Sequence, residues 1–248
     1  MGSRGFGVDV GGSGIKGGLV DLDAGTLIGK RLRIPTPEPS TPDAVATVVA
    51  QIVEHFGWQD RLGVTLPCVV KNGTVCTAAN IDRSWVGTDA VDLLSKEIGE
   101  PLLVVNDADA AGIAEMRYGA GRDNTGVVVL LTFGTGIGSA VFSDGELVPN
   151  TEFGHLQMDG RDAEDIAAAS VKEEQDLSWQ EWTPHVSRYL RALEDLVWPD
   201  LFIVGGGVSK QADEWLPLLD NRTPVVAAQL RNAAGIVGAA LAASRPQE

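Results

Sequence analysis

Cysteine is nearly absent from this chain: of 248 residues only Cys68 and Cys76 carry a thiol. Two thiols make no disulfide framework, so the expected setting is reducing. Long apolar runs are missing too, none approaching the ~18 residues that a membrane span requires. The opening MGSRGFG lacks the apolar stretch of a signal peptide. The expectation is a cytoplasmic protein with no membrane partner. Basic residues are in short supply, 19 Lys and Arg against 34 Asp and Glu, a formal charge of −15. That balance argues against nucleic acid as a partner and repels any polyanion that no local basic patch receives.

Glycine, by contrast, is plentiful at 30 residues, and it falls at telling places. Phe6–Asp21 reads FGVDVGGSGIKGGLVD: an apolar run, a turn at Gly11, Gly12 and Gly14, then a second apolar run. Two short strands joined by a glycine turn fit better than a strand feeding a helix. Such a turn gives access to left-handed backbone and leaves N–H groups open to an anion. Asp9 ends the first strand, with Ser13 and Lys16 near the same point. An acid beside a phosphate cradle makes sense if a divalent cation or its waters lie between.

Further strands are expected at 26–34, 62–66, 102–105, 126–132 and 201–204, and helices near 44–56, 88–98, 108–118, 163–175, 183–197 and 233–243. Asp43 is the expected cap of the first helix. Asp144–Gly145 reads as a hairpin turn. The plan occurs twice, residues 9–14 and 132–138 being matching punctuation. The expected architecture is α/β, with a small lobe over 1–107, a large lobe over 108–231 and a final helix (232–248) returning toward the first, each lobe presenting a glycine turn to a shared cleft.

Asn106-Asp107 follows a strand and precedes a helix, where ligands of open α/β sheets collect. Two readings of Asp107 are open: a helix cap, or a general base that takes a proton from a hydroxyl attacking phosphorus. Glu152 and His155, with Gly154 turning the chain between them, suit recognition of sugar hydroxyls; a metal site and a surface pair are the alternatives. Gly205, Gly206 and Gly207 either let a flat group approach the backbone or make a tight turn. Trp85 sits in a polar loop and is read as one side of a pocket.

Taken together these segments resemble the ROK family of sugar kinases, most closely the polyphosphate glucokinases of actinobacteria. The resemblance runs through DVGGSGIKGG (9–18), NDADAAGIAE (106–115), LTFGTGIGSA (131–140), EFGH (152–155), IVGGGVS (203–209) and AGIVGAALAA (234–243). It implies a two-lobed ribonuclease H-like fold, shared with actin and hexokinase, with its active site in the interlobe cleft. It implies phosphoryl transfer to the 6-hydroxyl of glucose with Asp107 as base and Mg²⁺ as cofactor, from polyphosphate and secondarily ATP. By the same resemblance Asn80, Asn106, Glu152, His155 and Glu164 contact the sugar. Gly11, Gly12, Ser13, Gly14, Lys16, Gly134, Thr135 and Gly136 hold phosphates, Gly205–Gly207 lie by the nucleotide, Asp9 manages the Mg²⁺, and the chain is a homodimer. Two departures stand out. Residues 156–176 lack the cysteines of the family's zinc motif, so no structural zinc is expected, and Cys68 follows Pro67 where a glycine is usual. The chain also starts at the first phosphate strand, with no winged-helix segment of the family's repressors before it.

Overall fold

A computed structural model of the chain describes residues 2–244. Contacts divide it into two compact units, one of residues 1–114 with 232–248, the other of residues 115–231.

The first unit is built on β1 (Arg4–Gly11), β2 (Gly14–Asp21), β3 (Thr26–Ile34), α1 (Pro42–Phe56), β4 (Leu62–Leu66), the small hairpin β5 (Val70–Lys71) and β6 (Thr74–Val75), α2 (Ala90–Ile98), β7 (Leu102–Asn106) and the start of α3 (Asp107–Tyr118). Its sheet runs β3-β2-β1-β4-β7, with β1–β3 an antiparallel meander and β4 and β7 parallel to β1. Alternation along β1 sends Phe6, Val8 and Val10 to one face, where Val45, Val49 and Ile52 of α1 complete the core. On the other face Gly7 and Gly63 lie against the backbone of the final helix. A Cβ on Gly63 would come within 1.9 Å of the Ala239 carbonyl oxygen, so the glycine is what admits the final helix, α8 (Ala234–Ser244), backbone against sheet.

The second unit holds β8 (Val127–Phe133), β9 (Ile137–Ser143), β10 (Glu146–Val148), the hairpin β11 (Gln157–Met158) and β12 (Arg161–Asp162), α4 (Glu164–Ala167), α5 (Ala169–Glu174), α6 (Trp179–Val197), β13 (Leu201–Gly206), α7 (Ala212–Trp215) and β14 (Val225–Ala227). Its sheet order is β10-β9-β8-β13-β14, again an antiparallel meander followed by parallel strands. Val129, Leu131 and Phe133 pack against Trp182, Val186 and Leu190 of α6, and Trp182 and Trp215 lie edge-on to Phe133. Asp144 and Gly145 carry the expected hairpin, both with positive φ (50° and 84°).

Local expectations need correction in several places. α1 is capped at Thr41 without a side-chain bond and begins with Pro42, which presets helical φ and has no N–H to lose; Asp43 lies inside its first turn. The single helix expected at 163–175 is two, because Ala168 is extended (ψ 158°) and turns its carbonyl to the indole N–H of Trp182. α6 begins four residues before position 183, at a reciprocal capping box of Ser178 and Glu181, and Pro184 lies within it. Trp85 is fully buried in the core of the first unit, its indole N–H bonded to Ser40 O. Among the described residues no helix is long and apolar enough to cross a membrane.

Candidate functional site

The residues singled out by sequence fall in both units, and in each unit they stand on a strand–turn–strand meander and the loops beside it. In the first, β1 and β2 pair from Arg4↔Asp21 to Gly11↔Gly14, leaving Gly12 and Ser13 exposed at the tip. None of these turn glycines adopts left-handed φ, contrary to expectation, and Gly12 has open space around it. A Cβ on Gly14 would lie 2.6 Å from the Arg33 guanidinium, which rests over the turn. Asp9, paired in register with Lys16, is half-buried. One of its oxygens accepts from the Thr65 hydroxyl at 3.1 Å and the other faces the Lys16 ammonium at 3.4 Å. Each oxygen keeps acceptor capacity, and one carboxylate beside an exposed glycine turn suits a hard dication, which takes few protein ligands.

Asn106 ends β7 and caps α3. Its side-chain oxygen accepts from Ala108 N at 2.8 Å and Asp109 N at 3.0 Å, and its amide donates to Cys68 O at 3.1 Å. The cap left open for Asp107 is made chiefly by its neighbour, while Asp107 Oδ1 also accepts from Ala108 N at 2.9 Å. Asp107 is half-buried at the first helical position, where the helix dipole favours negative charge. Cys68 is a buried thiol outside any disulfide, at a φ outside the left-handed region, so the turn accepts a side chain there without strain. Asn80 is exposed in the loop before the short turn Arg83–Trp85.

The second unit gathers Glu152, His155 and Glu164. The Ser139 hydroxyl of β9 donates to Thr151 O at 2.7 Å and receives Phe153 N–H at 3.0 Å, which pins the chain on either side of Glu152. His155 Nδ1 lies 2.7 Å from an Asp162 oxygen and 3.9 Å from Glu164. Its hydrogen bond to Asp162, above all, holds the imidazole's pKa above the ordinary value, and Glu152 and Glu164 push it the same way. The Glu152 carboxyl is raised by burial, with Glu164 adding and His155 opposing. Glu164 accepts Ile137 N–H at 3.0 Å, and its carboxylate fills the space beside Gly136. His155, Asp162 and Glu164 place one ligand atom each within 4.8 Å of one another, a set that could hold a divalent cation. The second glycine turn, Gly134–Gly136, is held from behind: Ser170 N–H donates to Gly134 O at 3.0 Å and its hydroxyl to Thr135 O at 2.7 Å, while Thr135 is exposed. Gly206 has φ 83° and would clash with Phe133 O, which supports the tight-turn reading for that position; Gly207 has open space around it.

Sequence reasoning missed Asp162, although Asp159-Gly160 is a hairpin signal that brings Gln157 opposite Asp162 and so returns the chain toward His155. It also missed Arg33, whose signal was the basic run Lys30-Arg31-Leu32-Arg33 on an edge strand.

Residues 5–175 match the model of the ROK family. The chain is 61% identical to the polyphosphate glucokinase of Mycobacterium tuberculosis (strain ATCC 25618 / H37Rv) over 240 residues, 96% of this chain and 91% of that one. Its fold matches the inorganic polyphosphate/ATP-glucomannokinase from Arthrobacter sp. strain KM with a TM-score of 0.93 and 51% identity, covering 98% of each chain. A ROK family glucokinase from Streptomyces griseus in complex with glucose and AMPPNP matches with a TM-score of 0.82 and 26% identity, over 97% of this chain and 99% of that one.

Proposed function

Because the chain belongs to the ROK family and shares its two-lobed α/β fold, we propose that it is a polyphosphate-dependent glucokinase. It transfers a phosphoryl group from inorganic polyphosphate, and secondarily ATP, to the 6-hydroxyl of glucose. The observation that carries this reading is the 61% identity to a polyphosphate glucokinase across 96% of the chain. Asp107 takes the proton of the 6-hydroxyl as its oxygen attacks phosphorus, and the donor leaves one phosphate shorter. Asn80, Asn106, Glu152, His155 and Glu164 read the sugar's hydroxyls. Gly11, Gly12, Ser13, Gly14 and Lys16, with Gly134, Thr135 and Gly136, hold the donor's phosphates, and Gly205–Gly207 lie by the nucleotide when ATP is used. Asp9 holds Mg²⁺ or its waters, and the ion supplies charge neutralisation on the transferring group. The protein acts in the cytoplasm as a homodimer.

A second reading, a hexose kinase that uses ATP alone, draws on the likeness to the Streptomyces griseus enzyme with its bound AMPPNP. Initial rates of glucose 6-phosphate formation with purified polyphosphate and with ATP, each titrated over salt, separate the two. Polyphosphate use should be the faster at low salt and should weaken more steeply as salt rises. Robust ATP activity with none from polyphosphate would establish the second reading.

A further inference from the structure

Positive charge is scarce in this chain, and among the described residues six Lys and Arg side chains pair with a carboxylate. Arg188 is tied to Asp159, Arg191 to Asp220, Arg222 to Glu194 and Asp195, and Lys96 to Asp92. The face of the first sheet that α8 approaches gathers three basic groups. Asp9, Lys16 and Arg33 are successive register partners across β1, β2 and β3, and Arg31 stands two residues before Arg33, where the β2–β3 register shifts. Lys16 shares its charge with Asp9, but neither arginine forms an ion pair with a carboxylate among the described residues. Both guanidiniums instead donate to backbone carbonyls, Arg33 to Ser13 O at 2.7 Å and Arg31 to Asn232 O at 2.8 Å.

A carbonyl fixes a guanidinium without cancelling its charge. Four of its five N–H groups remain for an anion. Arg33 lies over Gly14, its Nε 2.6 Å from where a Cβ would stand. The result is a pair of pre-positioned cations running from the phosphate turn along an edge strand, in a protein of formal charge −15.

We propose that Arg33 and Arg31 form a track for the donor chain, binding phosphates of inorganic polyphosphate that lie beyond the one transferred. This rests on the reading of polyphosphate as donor. Alternate residues along a strand are about 6.6 Å apart, a spacing at which a flexible polyanion meets successive cations. Beyond about 8 Å the repulsion of the remaining surface is largely screened at physiological salt, so two local contacts outweigh it. ATP ends in a nucleoside after three phosphates and has less to offer the track. The two arginines thus favour the longer donor.

The test uses Arg33→Gln, Arg31→Gln and the double variant, with Arg122→Gln as a control that removes the same charge from an exposed turn. KM for long-chain polyphosphate and for ATP, and equilibrium binding of the same polyphosphate, are measured across a salt series. Each single variant should raise the polyphosphate KM about tenfold, as expected for a lost charge-assisted hydrogen bond. The ATP KM should rise at least fivefold less, and the double variant's log KM against log salt should be shallower by about 1.4–1.8. Arg33→Lys should recover part of the loss. An unchanged polyphosphate KM, an equal loss with ATP, or an equal effect from Arg122→Gln would overturn the track. If the wild type binds polyphosphate but transfers only from ATP, the donor reading falls and the binding comparison alone decides on the track. No polyphosphate binding by the wild type overturns both.

Discussion

The two units lay the same five-stranded plan under different chemistry. β3-β2-β1-β4-β7 and β10-β9-β8-β13-β14 correspond strand for strand, each with a glycine turn between its first two strands. At the third register pair from the turn the first unit has Asp9↔Lys16, and the second has Leu131↔Ser139. Ionic groups stand at that level of one meander; an apolar side chain and a hydroxyl that braces Thr151 and Phe153 stand at that level of the other. Packing diverges in the same way. Glycines bring α8 onto the first sheet, whereas Phe133, Trp182 and Trp215 fill the space between the second sheet and its helices. A repeated backbone fixes where turns and strand ends fall, and the side chains then divide the work.

The sharpest break in that symmetry concerns Asp107, the proposed base, at the carboxyl end of β7. Replacing it with Asn keeps the shape and a hydrogen-bonding oxygen but removes the proton acceptor. Turnover with either donor should fall ~10²–10⁴-fold. Glucose affinity, followed by calorimetry, should stay within a few-fold of wild type. Retained turnover would remove Asp107 from the reaction.

Packing gives the next effect. Trp182 is fully buried, edge-on to Phe133, Trp179 and Trp215. Truncation to Ala should cost about 3–5 kcal/mol, read as a lower denaturant midpoint. In the first unit the opposite change does damage. Gly63→Ala sets a methyl against the Ala239 carbonyl and should cost about 1–3 kcal/mol by overpacking. If Gly63→Ala were neutral, the seat of α8 would not depend on the missing side chain at Gly63.

How much of this the sequence disclosed follows from how local each signal is. The glycine turns, the strand alternation and the repeat were legible because turn chemistry and two-residue periodicity are written in neighbouring residues. Asn106 and Asp107 were legible as a strand-to-helix junction, but which of them caps was not, since that depends on Cys68 offering its carbonyl 38 positions earlier. Trp85 misled because its loop is polar while its indole reaches the core. Arg33 escaped notice because its importance lies in Gly14 being empty beneath it, a relation across 19 residues. Asp162 needed a hairpin to be closed in three dimensions.

The smallest expected effect sharpens the second unit's own chemistry. His155 Nδ1 and Asp162 form the short contact, and Gln157 donates to the other Asp162 oxygen, so the carboxylate is held from both sides. The histidine's pKa is raised chiefly by that bond. A raised histidine pKa means the folded state binds the proton more tightly than the unfolded one. The pair's contribution is therefore complete below the unfolded value of about 6.5 and is lost as pH rises through the folded value. Half the His155 side chain is exposed, so solvent screening keeps the gain small. Asp162→Asn should bring the His155 titration, followed by its ring proton resonances, back toward 6.5, and should flatten the decline in melting temperature above that pH. Glu152 approaches the ring from a partly buried position and also raises its pKa, so some elevation should survive the substitution. A titration that did not move would assign the proton's affinity to Glu152 and Glu164 instead of Asp162.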